Sequence, residues 1–193
     1  CIRDRNGYIY INPNDPKLMV TDERIKLGSV LPDYNAGFRN DFSYKGINLS
    51  LLFSARFGGI VVSPTQGFLD GLGVSKASAD ARDAGGVPIN NGRIDAQHYY
   101  ETVGLGQLLS HYTYSATNVR LQEMSIGYTF PKKWMGDRVK LTASLVGRNL
   151  WMIYCKAPFD PELTASTGSY LQGIDYFMQP SLRSLGFNVQ LKF

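Results

Sequence analysis

Apolar and polar residues alternate one by one along several stretches of this chain. A β-strand is the regular backbone that turns such a sequence into two unlike faces. In residues 34–45, Tyr34, Ala36, Phe38, Phe42 and Tyr44 occupy even positions, interrupted by Asn40, against Asn35, Gly37, Arg39, Asp41, Ser43 and Lys45. The next stretch sets Ile47, Leu49, Leu51, Phe53, Ala55 and Phe57 against Asn48, Ser50, Leu52, Ser54 and Arg56. Tyr44-Lys45-Gly46-Ile47 joins the two runs as a short turn with Gly, so they are expected to form an antiparallel hairpin. Met124, Ile126, Tyr128 and Phe130 alternate again, whereas Val119 and Leu121 lie in the opposite phase. That slip near Gln122 predicts a bulge or the point where the strand leaves its layer. A fourth strand is expected over 138–154, carrying Val139, Leu141, Ala143 and Leu145, with its phase lost after Val146. The fifth carries Leu185, Phe187, Val189, Leu191 and Phe193.

The connections alternate short and long. Tyr44–Ile47 and Pro131–Asp137 are short, while about 60–117 and 155–178 are long and rich in Gly, Ser, Asp and Asn. Lys76–Ala84 has helical composition inside the first of these. Short turns on one side and long loops on the other are the rhythm of an antiparallel transmembrane β-barrel. Aromatic residues at 12% and 20 glycines suit its girdles and turns. No apolar run approaches the roughly 18–20 residues of a membrane-crossing helix, and alternating barrel strands need none. The expected fold class is therefore all-β: residues 34–193 form about five C-terminal strands of the barrel, and residues 1–33 are an extracellular loop region leading into it. About five strands cannot close a barrel, which begins at roughly eight, so the remaining strands are expected upstream of Cys1. Leu51 should face lipid and Ser50 the lumen. A soluble β-rich module would also alternate, but it gives no reason for the loop rhythm or the terminal aromatic.

Other chemistries find little support. The net charge is +4, from 20 basic and 16 acidic residues, and the densest basic stretch is Pro131-Lys132-Lys133-Trp134. That is no stripe for gripping nucleic acid. Cys1 and Cys155 leave a disulfide open but offer no paired metal-ligand spacing. The chain is read as starting inside a longer protein, with a lipidated Cys1 as the rival. His98 and His111 both fall in the long loop and read as solvated polarity, so no catalytic, cofactor or metal site is expected and the chain is not expected to be an enzyme. Asp160-Pro161-Glu162 reads as a turn rather than a glycosidase acid pair.

A set of short motifs in order resembles one family. Leu27-Gly28, Leu31-Pro32-Asp33-Tyr34-Asn35-Ala36-Gly37-Phe38, Phe42-Ser43-Tyr44-Lys45-Gly46 and Arg56-Phe57-Gly58-Gly59 come first. Val119-Arg120-Leu121, Ile126-Gly127-Tyr128-Thr129-Phe130-Pro131, Gly147-Arg148-Asn149-Leu150, Asp160-Pro161-Glu162 and the last strand to Phe193 follow. Together, over about 27–193, they resemble the C-terminal barrel portion of SusC/RagA-family TonB-dependent transporters of Bacteroidetes. Residues 1–26 match less well, and Asp4-Arg5-Asn6-Gly7 does not carry a calcium-like site over.

The resemblance implies a barrel of about 22 strands around a plug, in the bacterial outer membrane, with the C-terminus periplasmic and the long loops extracellular. It implies import of nutrients such as oligosaccharides or peptides. The implied partners are the N-terminal remainder of the barrel and its plug, TonB through a region outside this chain, outer-membrane lipid, and a SusD-like surface lipoprotein as lid. A passive porin remains the alternative. Tyr99, Tyr100, Tyr112, Tyr114 and Tyr176 are the loop residues expected to touch substrate or lid. Phe193 is expected to serve as a barrel-assembly signal.

Overall fold

A computed structural model describes residues 3–12, 14–18, 23–106, 108–135, 139–163 and 168–192. The chain divides into two units. One gathers residues 29–60, 115–163 and 179–193 around a sheet, and the other gathers 1–28, 61–114 and 164–178.

The sheet has five strands: β1 (Tyr34–Tyr44), β2 (Ile47–Phe57), β3 (Asn118–Thr129), β4 (Lys140–Cys155) and β5 (Ser184–Lys192). Their order is β5-β4-β3-β2-β1, antiparallel throughout. The β1–β2 hairpin turns on Lys45 and Gly46, with φ of 47° and 88°. Two consecutive positive φ values match the twist of the flanking strands. A side chain at Gly46 would put its Cβ 2.8 Å from the Thr129 carbonyl oxygen, so this position needs glycine on two counts.

The register places the apolar residues in rows. Phe42, Leu49, Ile126, Leu145 and Phe187 lie side by side across all five strands, and Tyr44, Ile47, Tyr128, Ala143 and Val189 form the next row. Leu52 pairs with Glu123 and Phe53 with Leu121, which leaves Gln122 as an extra residue. The bulge restores the face: Val119 and Leu121 lie on the same side as Met124, Ile126 and Tyr128 despite their opposite sequence parity. The phase loss in β4 has the same origin. Arg148 pairs with Glu123 and Trp151 with Leu121, around Asn149 at φ 51°. The β4–β5 ladder ends at Arg148 and Ser184, so the second long connection runs to 183 rather than to about 178.

This face remains open to its surroundings. Phe38, Leu145 and Phe187 are each at least 60% exposed. An eleven-residue strand at about 3.4 Å per residue, tilted by about 40°, rises on the order of 28 Å, close to the apolar band of about 25 Å on an outer-membrane barrel.

The local structure expected from the helical composition of Lys76–Ala84 is present in the other unit and is not alone. Three helices form within 58–117: α1 (Pro64–Gly71), α2 (Lys76–Asp83) and α3 (Ala96–Tyr100), the last running into a π-helical turn at Glu101–Leu105. Each helix starts on a side-chain cap. Ser63 accepts the Gln66 N–H, Ser75 the Ser78 N–H and Asp95 the His98 N–H. Ile9, Tyr99, Val103 and Tyr112 form the core of this unit. Gly67 and Gly71 of α1 meet Gly104 at backbone contact distance, where a Cβ on Gly104 would lie within reach of the Gly67 carbonyl and the Gly71 N–H.

Candidate functional site

The face of the sheet opposite the apolar one is polar. Its registered rows include Ser43-Asn48-Gly127-Ser144-Asn188 and Arg39-Leu52-Glu123-Arg148-Ser184. Side chains link across it. Ser43 donates to Asn48 at 3.0 Å, Asn48 to Thr129 at 2.9 Å, and Thr129 and Thr142 share a bond of 3.1 Å. Arg148 pairs with Glu123 at 3.0 Å and Arg39 with Asp41 at 3.0 Å. Residues that bond to one another at half-exposed positions make a wall suited to water and hydrophilic solutes rather than to hydrocarbon.

At the loop end of this face lies a buried ion cluster. Arg120, only 4% exposed, donates to Asp160 Oδ1 at 2.7 Å and Oδ2 at 3.4 Å, approaches Glu162 Oε2 at 3.3 Å and donates to Asn118 Oδ1 at 3.3 Å. Asp160 also accepts the Ser181 hydroxyl at 2.6 Å and the Glu162 N–H at 3.1 Å. Burial alone would raise the Asp160 pKa. Hydrogen bonds from Arg120, Ser181 and the Glu162 N–H, with the charge of Arg120, outweigh it and hold the carboxyl below its ordinary 3.8. Arg120 thus fixes the first foot of the 156–183 segment directly, and Ser181 ties the second foot to it through Asp160. Sequence reading saw a turn at Asp160-Pro161-Glu162 and missed its cationic partner. The available signal was an arginine inside an alternating strand, Val119-Arg120-Leu121.

The five loop tyrosines separate. Tyr99 and Tyr112, at 4% and 1% exposure, are core residues of the helical unit, with Tyr99 also edging a small cleft beside Arg3 and His111. They are inside because their rings fill the space against Val103 and Ile9, with His111 edge-on to both at 6.2 and 5.0 Å. Burial, then the nearby Asp70 charge, drives the Tyr112 hydroxyl far above its ordinary pKa. Burial likewise lowers His111, against a raising effect of Asp70. Tyr100 and Tyr114 are half-buried. Tyr176 stays exposed and packs against Phe68 and Phe177 at 6.4 and 5.2 Å. A cleft of about 390 Å³ lies among α1, α2, α3 and the π-helical turn, with Asp70, Ser78, Arg82, Tyr100 and Glu101 on its walls.

Asp4 accepts the N–H groups of Asn6 and Tyr8, closing a local turn on Gly7. Among the described residues no group of three or more His, Cys, Asp or Glu side chains could hold a metal. The Cys155 thiol donates to the Ala157 carbonyl at 3.4 Å, while Cys1 and Phe193 lie outside the described residues.

No family model matches the chain. Three curated relatives from Formosa agariphila do. TonB-dependent receptor P3 is 27% identical over 98% of this chain and 19% of its own length. TonB-dependent receptor P39 is 23% identical over 99% and 18%, and TonB-dependent receptor P26 is 29% identical over 95% and 19%. The chain thus spans about a fifth of the length of the relatives it matches. Among solved structures, the RagAB peptide importer in its closed-closed state matches the whole chain and 20% of the chain it aligns with, at TM-score 0.69 and 20% identity. The open-open state matches 96% of this chain and 20% of the other, at TM-score 0.66 and 21% identity. The sheet therefore has the fold of a RagA-type barrel wall, and the SusC/RagA resemblance read from the sequence holds across the chain.

Proposed function

From a chain that is SusC/RagA-like over nearly its whole length, we propose that the intact protein is an energised importer of nutrients, such as oligosaccharides or peptides, in the bacterial outer membrane. The observation that carries this reading is the similarity of 98% of this chain to part of a TonB-dependent receptor, joined to a sheet with one open apolar face and one self-bonded polar face. The apolar face meets lipid and the polar face lines the lumen or the plug. The long loops lie outside the cell, the C-terminus faces the periplasm, and Phe193 serves as a barrel-assembly signal. A SusD-like lipoprotein covers the mouth, with Tyr176 among the residues that touch lid or substrate.

Uptake of labelled peptides and oligosaccharides by cells with and without the intact protein tests the import. Removing TonB should abolish that uptake while the barrel stays in the membrane. Uptake that survives the loss of TonB would instead identify a passive porin. Purification in mild detergent should bring a surface lipoprotein with the barrel.

A further inference from the structure

One carboxylate of the helical unit is buried without a countercharge. Asp70, on α1, is 4% exposed. Its Oδ1 accepts a hydrogen bond from Gln66 Nε2 at 2.8 Å, and among the described residues no Arg, Lys or His pairs with it. The Tyr112 hydroxyl lies within the field of Asp70, yet it is buried with no hydrogen-bond partner and so leaves the carboxylate unserved. A carboxylate removed from water is ordinarily matched by a cation or by several N–H donors. Asp70 has one donor, from a neutral amide. It also lines the cleft of about 390 Å³ among α1, α2, α3 and the π-helical turn, a volume that suits a small solute. The other charges on the walls are Glu101 and Arg82, both exposed. Glu101 accepts from Gln97 Nε2 at 2.7 Å, and Arg82 donates to the Gly73 carbonyl at 3.0 Å. The cleft thus sets two carboxylates against one guanidinium, with Leu72 and Leu105 as apolar walls.

We propose that this cleft binds the primary ammonium group of a small solute, with Asp70 as its counter-ion and Leu72 and Leu105 against the adjoining carbons. An ammonium brings the charge that Asp70 lacks, and three N–H donors for carboxylate oxygens. A metal ion fits less well, because among the described residues no third His, Cys, Asp or Glu joins the two carboxylates. The amino end of a peptide and an amino sugar share the required group. The site belongs to the helical unit alone and does not depend on the import reading.

The test uses the full-length protein that contains this chain, purified in detergent and read by saturation-transfer NMR. The probes are glycyl-leucine and glucosamine, each beside its N-acetylated form. At neutral pH the wild type should transfer saturation to a free-amine probe and not to its acetylated partner, because acetylation removes the charge. Separate titrations distinguish the two sources of the group, and the tighter binder names the one the cleft prefers. Asp70→Asn keeps the shape of the side chain and removes its charge. It should weaken binding roughly tenfold or more, and Glu101→Gln a few-fold. Hydrogen exchange across 64–105 reports whether the helical unit is intact in each variant. Where Asp70→Asn loosens it, the exposed Glu101→Gln decides. Equal transfer to the acetylated probes, or unchanged affinity in variants whose helical unit is intact, would overturn the site. So would displacement of the amine by calcium chloride, which would assign the cleft to a metal ion. Amine binding that obeys these variants in a protein whose uptake survives the loss of TonB would sink the import reading and leave the site standing.

Discussion

Single residues test the two faces and the ion cluster. Leu51 lies in the apolar row with Met124, and Ser50 opposes Ser125 on the polar side. Arg on a lipid face near mid-bilayer costs about 2–4 kcal/mol, whereas a lumen position tolerates it. Leu51→Arg should therefore deplete folded barrel in the outer membrane far more than Ser50→Arg, as judged by heat-modifiable mobility of membrane fractions. Equal depletion would reverse or erase the facing assigned here. Arg120 is a different case, because its charge is buried together with Asp160, whose side chain is 9% exposed. Removing one partner of a buried pair costs about 3–5 kcal/mol, because the other charge is left unmatched. Arg120→Ala should release the 156–183 segment and make it sensitive to limited proteolysis without dissolving the sheet. Arg120→Lys should rescue only part of the protection, since it keeps the charge and loses the fork. Acid should mimic the loss. The folded pKa of Asp160 is depressed, so the released segment binds more protons than the anchored one as pH falls. Its contribution is complete well above 3.8 and is lost as pH falls through the depressed folded value. Hydrogen exchange in 156–163 should accelerate across that window in the wild type and be flat in Asp160→Asn.

At the level of elements, strands were legible and helices largely were not, and the reason is physical. Alternation over Tyr34–Tyr44 and Ile47–Phe57 fixes which side each residue takes, because a slip of one residue would turn every apolar side chain to the wrong face. The phase change at Gln122 was readable for the same reason, and the bulge is its resolution. Helices α1 and α3 are short and lack a long apolar stripe, so their existence depends on packing around Tyr99, Val103 and Tyr112. A local signal did exist in Ser63-Pro64-Thr65-Gln66, with serine at the cap, proline at the first helical position and glutamine three residues after the cap. The burial of Tyr99 and Tyr112 could not be read at all, since loop tyrosines look alike until the unit they belong to is known. Deleting Gln122 tests the element-level logic. Val119 and Leu121 would then keep the apolar side and Arg120 the polar side, because the residue removed is the unpaired one, so assembly should persist, whereas deleting Ser125 would turn Met124 to the polar side and Glu123 to the apolar side and assembly should fail. Surface protease protection of the intact protein separates the two outcomes.

At the scale of the whole molecule, the sheet has two strands, β1 and β5, each with one neighbour among the described residues, and a broad apolar surface between them. An unpaired strand edge templates association with other chains, and apolar patches beyond a few hundred Å² drive it. Water satisfies the edges but not the face, while lipid satisfies the face but not the edges, where each unpaired backbone group would cost several kcal/mol. Both demands are met together only when further strands continue the sheet and close it in a membrane. Residues 1–193 expressed alone should therefore be insoluble, or soluble only in detergent and without a single oligomeric state. The same residues within the intact protein should show slow hydrogen exchange along both β1 and β5, because both edges are then paired. Size-exclusion chromatography with and without detergent, and exchange measured on the full-length protein, provide the comparison. A monodisperse 193-residue monomer in plain buffer with cooperative unfolding, or rapid exchange along β5 in the full-length protein, would be incompatible with a closed barrel.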